Sequence, residues 1–153
     1  MISGIGNIVI EDKVLISAGH TRSGGSQPYT LLQELVPLNG LIQSSALESP
    51  ISRAHCIIQI NATTIMMTGG VGLGGPALPS TWFQNFETGE TIKGPDLSTK
   101  TNMHGCGKIN INGDTVLFNI GVTDKTEYLN LNDDNLAWKS GTYILYLSTT
   151  SIL

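Results

Sequence analysis

Charge is scarce in this chain. Of 153 residues, 8 are Lys or Arg and 12 are Asp or Glu, a charged share of 13%, where soluble domains carry about 25%. The surface must take its polarity from Ser, Thr, Asn and Gly, which fits an extracellular or assembled protein better than a free cytosolic one and leaves the compartment itself open. With a net charge of −4 and its few cations scattered, the chain offers no positive field to draw in a phosphate backbone, and nucleic acid is excluded as a partner. Long apolar runs are missing too, and none approaches the roughly 20 residues needed to span a bilayer. Glu11, Asp12 and Lys13 interrupt the only candidate for a secretory leader, so none is expected in the first twenty residues. No segment longer than about ten residues keeps an apolar 3.6-residue period free of Gly, Pro and β-branched clusters, so helix should be rare. Two cysteines cannot build a disulfide framework. Cys56 and Cys106 both fall early in alternating stretches, and two buried thiols in related strands are expected rather than a bridge.

What the chain does have is a repeat. Val14-Leu15-Ile16-Ser17-Ala18-Gly19, Ile65-Met66-Met67-Thr68-Gly69-Gly70 and Val116-Leu117-Phe118-Asn119-Ile120-Gly121 follow one another at steps of 51 residues, a period that signals a repeat architecture. Each run is preceded by a short alternating segment and a polar turn: Ile8 to Ile10 before Glu11-Asp12, Cys56 to Ile60 before Asn61 to Thr63, and Lys108 to Ile111 before Asn112 to Asp114. These are hairpins, and Asn-Gly between β-forming segments is the strongest short-range sign of one. Gly70 stands where an apolar strand must turn sharply, which calls for a positive φ or close backbone approach.

After each glycine comes a loop of its own length and composition, then a second hairpin. The middle unit has Thr81 to Phe86, a turn at Glu87 to Glu90, and Thr91 to Lys93. The third has Glu127 to Leu131, a turn at Asn132 to Asn135, and Leu136 to Lys139. The first has Thr30 to Val36, a turn near Asn39-Gly40, and Leu41 to Gln43. Ile42, Ile92 and Trp138 fall in one column of this alignment, with Trp138 expected to fill the gap between neighbouring units. The reading is a single all-β repeat domain, 1–153, of about three four-stranded antiparallel units at 3–50, 51–100 and 101–147.

A unit of this length, with glycine closing its second strand and an apolar or aromatic residue on its fourth, resembles the kelch repeat of β-propellers. The middle unit carries most of the likeness: Arg53-Ala54-His55 opens it, Gly69-Gly70 ends its second strand, and Phe86 to Pro95 follows the family's stretch after the loop. The third keeps Trp138, His104 near its opening and Gly121. The first keeps Gly19. The resemblance implies β-propeller blades, and propellers close with about 4 to 8 of them. Three would be an incomplete ring with two exposed apolar blade faces, unless another chain completes it. Expected partners are therefore protein: a second copy in a dimer that makes a six-bladed ring, or a larger assembly. The run Thr142 to Leu147 is either a plain last strand or one that pairs outside its own unit. Kelch-like propellers commonly bind proteins through loops at one end, so the loops after the glycines supply candidate contact residues: His20, Arg22, Leu73, Leu78 and Asp124. A structural role in an extracellular assembly is the alternative, and a remnant of a kelch-like oxidase or carbohydrate-active propeller is a second.

Catalytic patterns fail on chemistry. Gly70 to Gly75 satisfies G-x-G-x-x-G, but Pro76 and Pro79 follow where a phosphate-binding helix would have to begin. His55 and His104 open equivalent strands, which favours a structural repeat position. Adjacent strand residues point to opposite faces, so His55 and Cys56 cannot share an ion. A copper-oxidase set of tyrosine, cysteine and histidine ligands, as the galactose-oxidase likeness would require, does not map onto Tyr29, Tyr128, Tyr143, Tyr146 and the histidines. Glu87, Glu90, Asp133 and Asp134 sit on turns as solvated corners. No catalytic residue, cofactor or metal is therefore expected. Asn61-Ala62-Thr63 is a candidate N-glycosylation site.

Overall fold

A computed structural model describes residues 2–3, 6–10, 13–21, 29–36, 41–46, 54–72, 75–121 and 126–141, the part before residue 54 through its backbone and the side chain of Val9. These residues form three antiparallel sheets in chain order and no helix. The first contains β1 (Ile2–Ser3), β2 (Gly6–Ile10), β3 (Lys13–Thr21), β4 (Tyr29–Val36) and β5 (Leu41–Ala46), with β1 and β2 both paired to β3. The second runs β6 (Cys56–Gln59), β7 (Thr64–Thr68), β8 (Thr81–Asn85) and β9 (Thr91–Lys93). The third runs β10 (Gly105–Ile111), β11 (Asp114–Ile120), β12 (Thr126–Asn130) and β13 (Lys139–Gly141). The expected hairpins are present except at the last return of the third sheet, where the strand expected over Leu136 to Lys139 begins only at Lys139, and β1 is an addition that alternation did not reveal in so short a segment.

Local chemistry fixes the turns. Asn112 and Gly113 both take positive φ, 53° and 92°, joining Ile111 to Asp114 in register. This is the mirror-image turn whose twist matches paired strands. In the second sheet the Asn61 carboxamide oxygen accepts hydrogen bonds from the Thr63 and Thr64 amides at 3.0 and 2.9 Å, an Asx turn that closes a longer tip.

The second sheet packs on both faces. Ile57, Ile65 and Met67 form a cluster on one, joined by half-buried Leu78, Trp82 and Phe86. Met66 points the other way and meets Leu97, Leu117, Leu129 and Trp138, with Ile58, Ile60, Phe83 and Leu131 around them. This second cluster is the seam between the second and third sheets. Burying each such Leu or Met side chain stabilises the fold by roughly 1.5–3 kcal/mol. The backbone of β6 lies beside β2 on one side and β10 on the other.

Two sequence expectations are corrected here. The 51-residue step equates Met66 with Leu117, yet both enter the same seam from opposite sheets. In sheets stacked front to back, equivalent residues must face the same way, so Leu117 is the counterpart of Met67, a step of 50, each standing three residues past the first residue of its return strand. A shift of one residue exchanges the faces of a strand. Its source is the hairpin tip, Asn61 to Thr63 in one sheet and only Asn112-Gly113 in the other. The column of Ile92 and Trp138 also fails, because Ile92 lies within β9 while Trp138 precedes β13. Ile92 lies opposite Phe83 and is 57% exposed, whereas Trp138 is 8% exposed on the seam side of its sheet.

Candidate functional site

The seam carries the densest chemistry. Cys56 lies opposite Thr68 in register and Cys106 opposite Asn119, so the two thiols enter the gap from facing sheets and form a disulfide across 50 residues of sequence, Cα to Cα 5.9 Å. This overturns the expectation of two buried thiols. Cys106 follows Cys56 by 50 residues, one short of the 51-residue step, so the two cysteines lie on opposite faces of their sheets. One faces forward and the other back across the same seam, where they meet.

Beside the disulfide the two histidines occupy repeated positions. Each follows a residue held in the left-handed region, Ala54 at φ 55° and Met103 at φ 48°, and the Met103 amide donates to the Ala54 carbonyl at 2.9 Å. The His104 Nε2 lies 3.1 Å from Thr68 Oγ1. Burial lowers the pKa of His55 to about 4, helped by the nearby His104. Burial also lowers His104 to about 4, against an opposing hydrogen-bond contribution from Thr68. Both rings are neutral at physiological pH, and the backbone hydrogen bond from Met103 to Ala54 joins the segments that enter β6 and β10. Among the described residues, no three His, Cys, Asp or Glu side chains are grouped to hold a metal ion.

The middle loop is tied down more than its sequence suggests. The Gly70 amide donates to the Thr101 carbonyl at 2.8 Å, the Leu78 amide to the Gly70 carbonyl at 2.9 Å, and the Thr101 amide to the Leu78 carbonyl at 3.2 Å. Val71 bridges to Ala77 where a phosphate-binding helix would have had to start. Gly70 takes φ 89°, in keeping with its place at a sharp turn. Leu78, a candidate contact residue, is half-buried against Ile57, Ile65 and Met67, so it supports the core below the loop. His20 lies at the end of β3, opposite Ser3 in register. Arg22, Leu73 and Asp124 fall outside the described residues, as does the run 142–147. Asn61 is exposed at its hairpin tip.

Sequence reasoning passed over Glu127. This carboxylate is 3% exposed and accepts the Ser98 and Thr99 amides at 2.8 and 3.2 Å, pinning the segment that delivers Leu97 to the seam. Two backbone donors satisfy a group that would otherwise be costly to bury. Its partners lie 28 and 29 residues upstream in an irregular segment, and no local pattern announces them.

Among the described residues, the far face of the third sheet is apolar and uncovered. Ile109, Ile111, Val116, Phe118, Ile120, Thr126 and Tyr128 line one depression on it, and Ile109, Ile111 and Ile120 are 39%, 40% and 42% exposed. A Cβ on Gly107 would overlap the Phe118 ring, so the missing side chain lets that ring lie flat against β10. Charges sit at the rim. Asp114 accepts from the Asn130 amide group at 2.9 Å, and Lys139 pairs with Asp133 at 2.6 Å. No family model and no curated protein matches this chain.

Proposed function

We propose that this chain is a non-catalytic module of about three kelch-like propeller blades whose role is protein–protein assembly, made through its uncovered blade faces and the loops that follow the glycine stops. The observation that carries the reading is the third sheet's open face: isoleucines about two-fifths exposed around Phe118, charge only at the edge. Contiguous apolar surface of this kind marks an interaction site in a soluble protein. The opposite face of the same sheet is already a packed seam, which supports reading the sheet as one blade in a series.

The disulfide favours an oxidising compartment, and together with the exposed sequon at Asn61 it supports an extracellular setting for the assembly. The test is Ile111→Glu. Residue 111 is exposed in the single chain, so the variant should keep the far-UV spectrum and cooperative unfolding of the parent while losing association with its own kind or with a co-purifying protein. Undiminished association would overturn the proposal that this face is the interface.

A further inference from the structure

Among the described residues, apolar side chains are exposed at both ends of the sheet series, and the two ends are not alike. Call front the face each sheet turns toward the next sheet in chain order, and back the other. The second sheet's front, with Met66, Ile58 and Phe83, packs on the third sheet's back, with Leu117, Leu129 and Trp138. The third sheet's own front, centred on Ile109, Ile111 and Phe118, is open.

At the other end, Val9 is 69% exposed. In antiparallel pairing, residues directly opposite share a face. Val9 is opposite Val14, Val14 opposite Leu35, and Leu35 opposite Ile42, while Ile16 lies on the same side, opposite Gln33. Counting from the two-residue hairpin tips, Ile16 stands where Leu117 stands in the third sheet, three residues past the first residue of the return strand. Val9 thus belongs to the first sheet's back. By register that back carries Val9, Val14, Ile16, Leu35 and Ile42 together with Asn7, Gln33 and Ser44, and no charged residue among the described positions.

From this we infer that the third sheet's front is covered by the first sheet's back of a second copy of this chain, head to tail, and that the same contact made reciprocally closes the pair. The inference rests on the assembly reading above and names its partner and faces. The internal seam is the argument for it: in this chain an apolar front is covered by an apolar back. A heterologous contact of this kind closes into a ring when its rotation permits, and two chains of three units give six, within the roughly 4 to 8 that close propellers.

The geometry makes a distinctive demand on mixtures. Val9→Glu spoils the back and Ile111→Glu spoils the front, and a pair of either variant alone has one damaged face in both contacts. A mixed pair has one contact with both faces intact and one with both damaged. Light scattering on the full chain should therefore give a dimer for the parent, monomers for each variant alone, and recovery of dimer when the two are mixed in equal amounts, at a dissociation constant at least tenfold weaker than the parent's. Circular dichroism confirms that each variant is folded. Loss of the dimer with Ile111→Glu but not with Val9→Glu would mean front meets front, which overturns the head-to-tail arrangement and leaves the assembly reading standing. A monomeric parent that binds an unrelated protein through Ile111, or whose front is covered by its own residues 142–153, would also overturn this inference. A mixture that stays monomeric would do the same.

Discussion

The indole Nε1 of Trp138 donates a buried hydrogen bond to Thr81 Oγ1 at 2.9 Å, across 57 residues of sequence and from one sheet to the next. The bond orients a ring that packs against Met66 and Leu97, so one side chain both fills the seam and registers the two sheets. Trp138→Ala should cost roughly 3–5 kcal/mol. Trp138→Phe keeps much of the packing but leaves Thr81 without its donor, and should cost about 1–3 kcal/mol. Urea denaturation of the two variants checks the order.

Cys56 and Cys106 tie the start of β6 to that of β10, and the closed loop between them is long. Cross-links of this span stabilise by about 2–5 kcal/mol, chiefly by restricting the unfolded chain. Cys56→Ser with Cys106→Ser, or a reducing agent, should lower the thermal midpoint by roughly 5–15 °C. An unchanged midpoint would show that the bridge contributes nothing to the seam.

His55 and His104 give the protein an acid-sensitive joint. Both pKa values are lowered from 6.5 to about 4 by burial, so the folded chain binds these protons more weakly than the unfolded chain. The linked stability is present in full above about pH 6.5, falls as pH drops toward 4, and is not reduced further by these two groups below that. Melting temperatures between pH 7 and 4.5 should decline, and His104→Gln should flatten the decline. A profile just as steep in the variant would assign the acid sensitivity elsewhere.

Gly69 and Gly75 separate crowding from backbone strain. Both have positive φ, 59° and 98°. A Cβ at 69 would meet the His104 ring at 2.5 Å and the Thr101 carbonyl at 2.7 Å, whereas one at 75 meets nothing within 4 Å. Gly75→Ala should cost about 1–2 kcal/mol from conformation alone. Gly69→Ala adds overpacking against a main-chain atom and should cost about 2–4 kcal/mol or more. Equal losses would contradict the crowding at the seam.

Much of the fold is legible in the sequence because its signals are local. Alternation from Cys56 to Ile60, the Asn112-Gly113 turn and the runs ending at Gly69-Gly70 and Gly121 each act within about ten residues, and strands and hairpins appear where those patterns put them. The stacking is less legible because it depends on parity. A tip longer by one residue in the second sheet turns Leu117, not Val116, toward the seam, while the 50-residue spacing of Cys56 and Cys106, one short of the step, puts those two on facing sides of it. Glu127 and its two amide donors belong to contacts between segments, where no spacing rule operates. Of the candidate loop residues, Leu78 looked like an exposed apolar contact because its two backbone bridges, to Gly70 and Thr101, are invisible in sequence.

The central claim is that the open apolar front of the third sheet is an assembly surface, and the most direct measurement is the solution mass of the full chain by light scattering across a dilution series. The account predicts about twice the monomer mass of 16.3 kDa at micromolar concentration, with dissociation on dilution. A folded, soluble monomer at every concentration that also binds no other protein would contradict it.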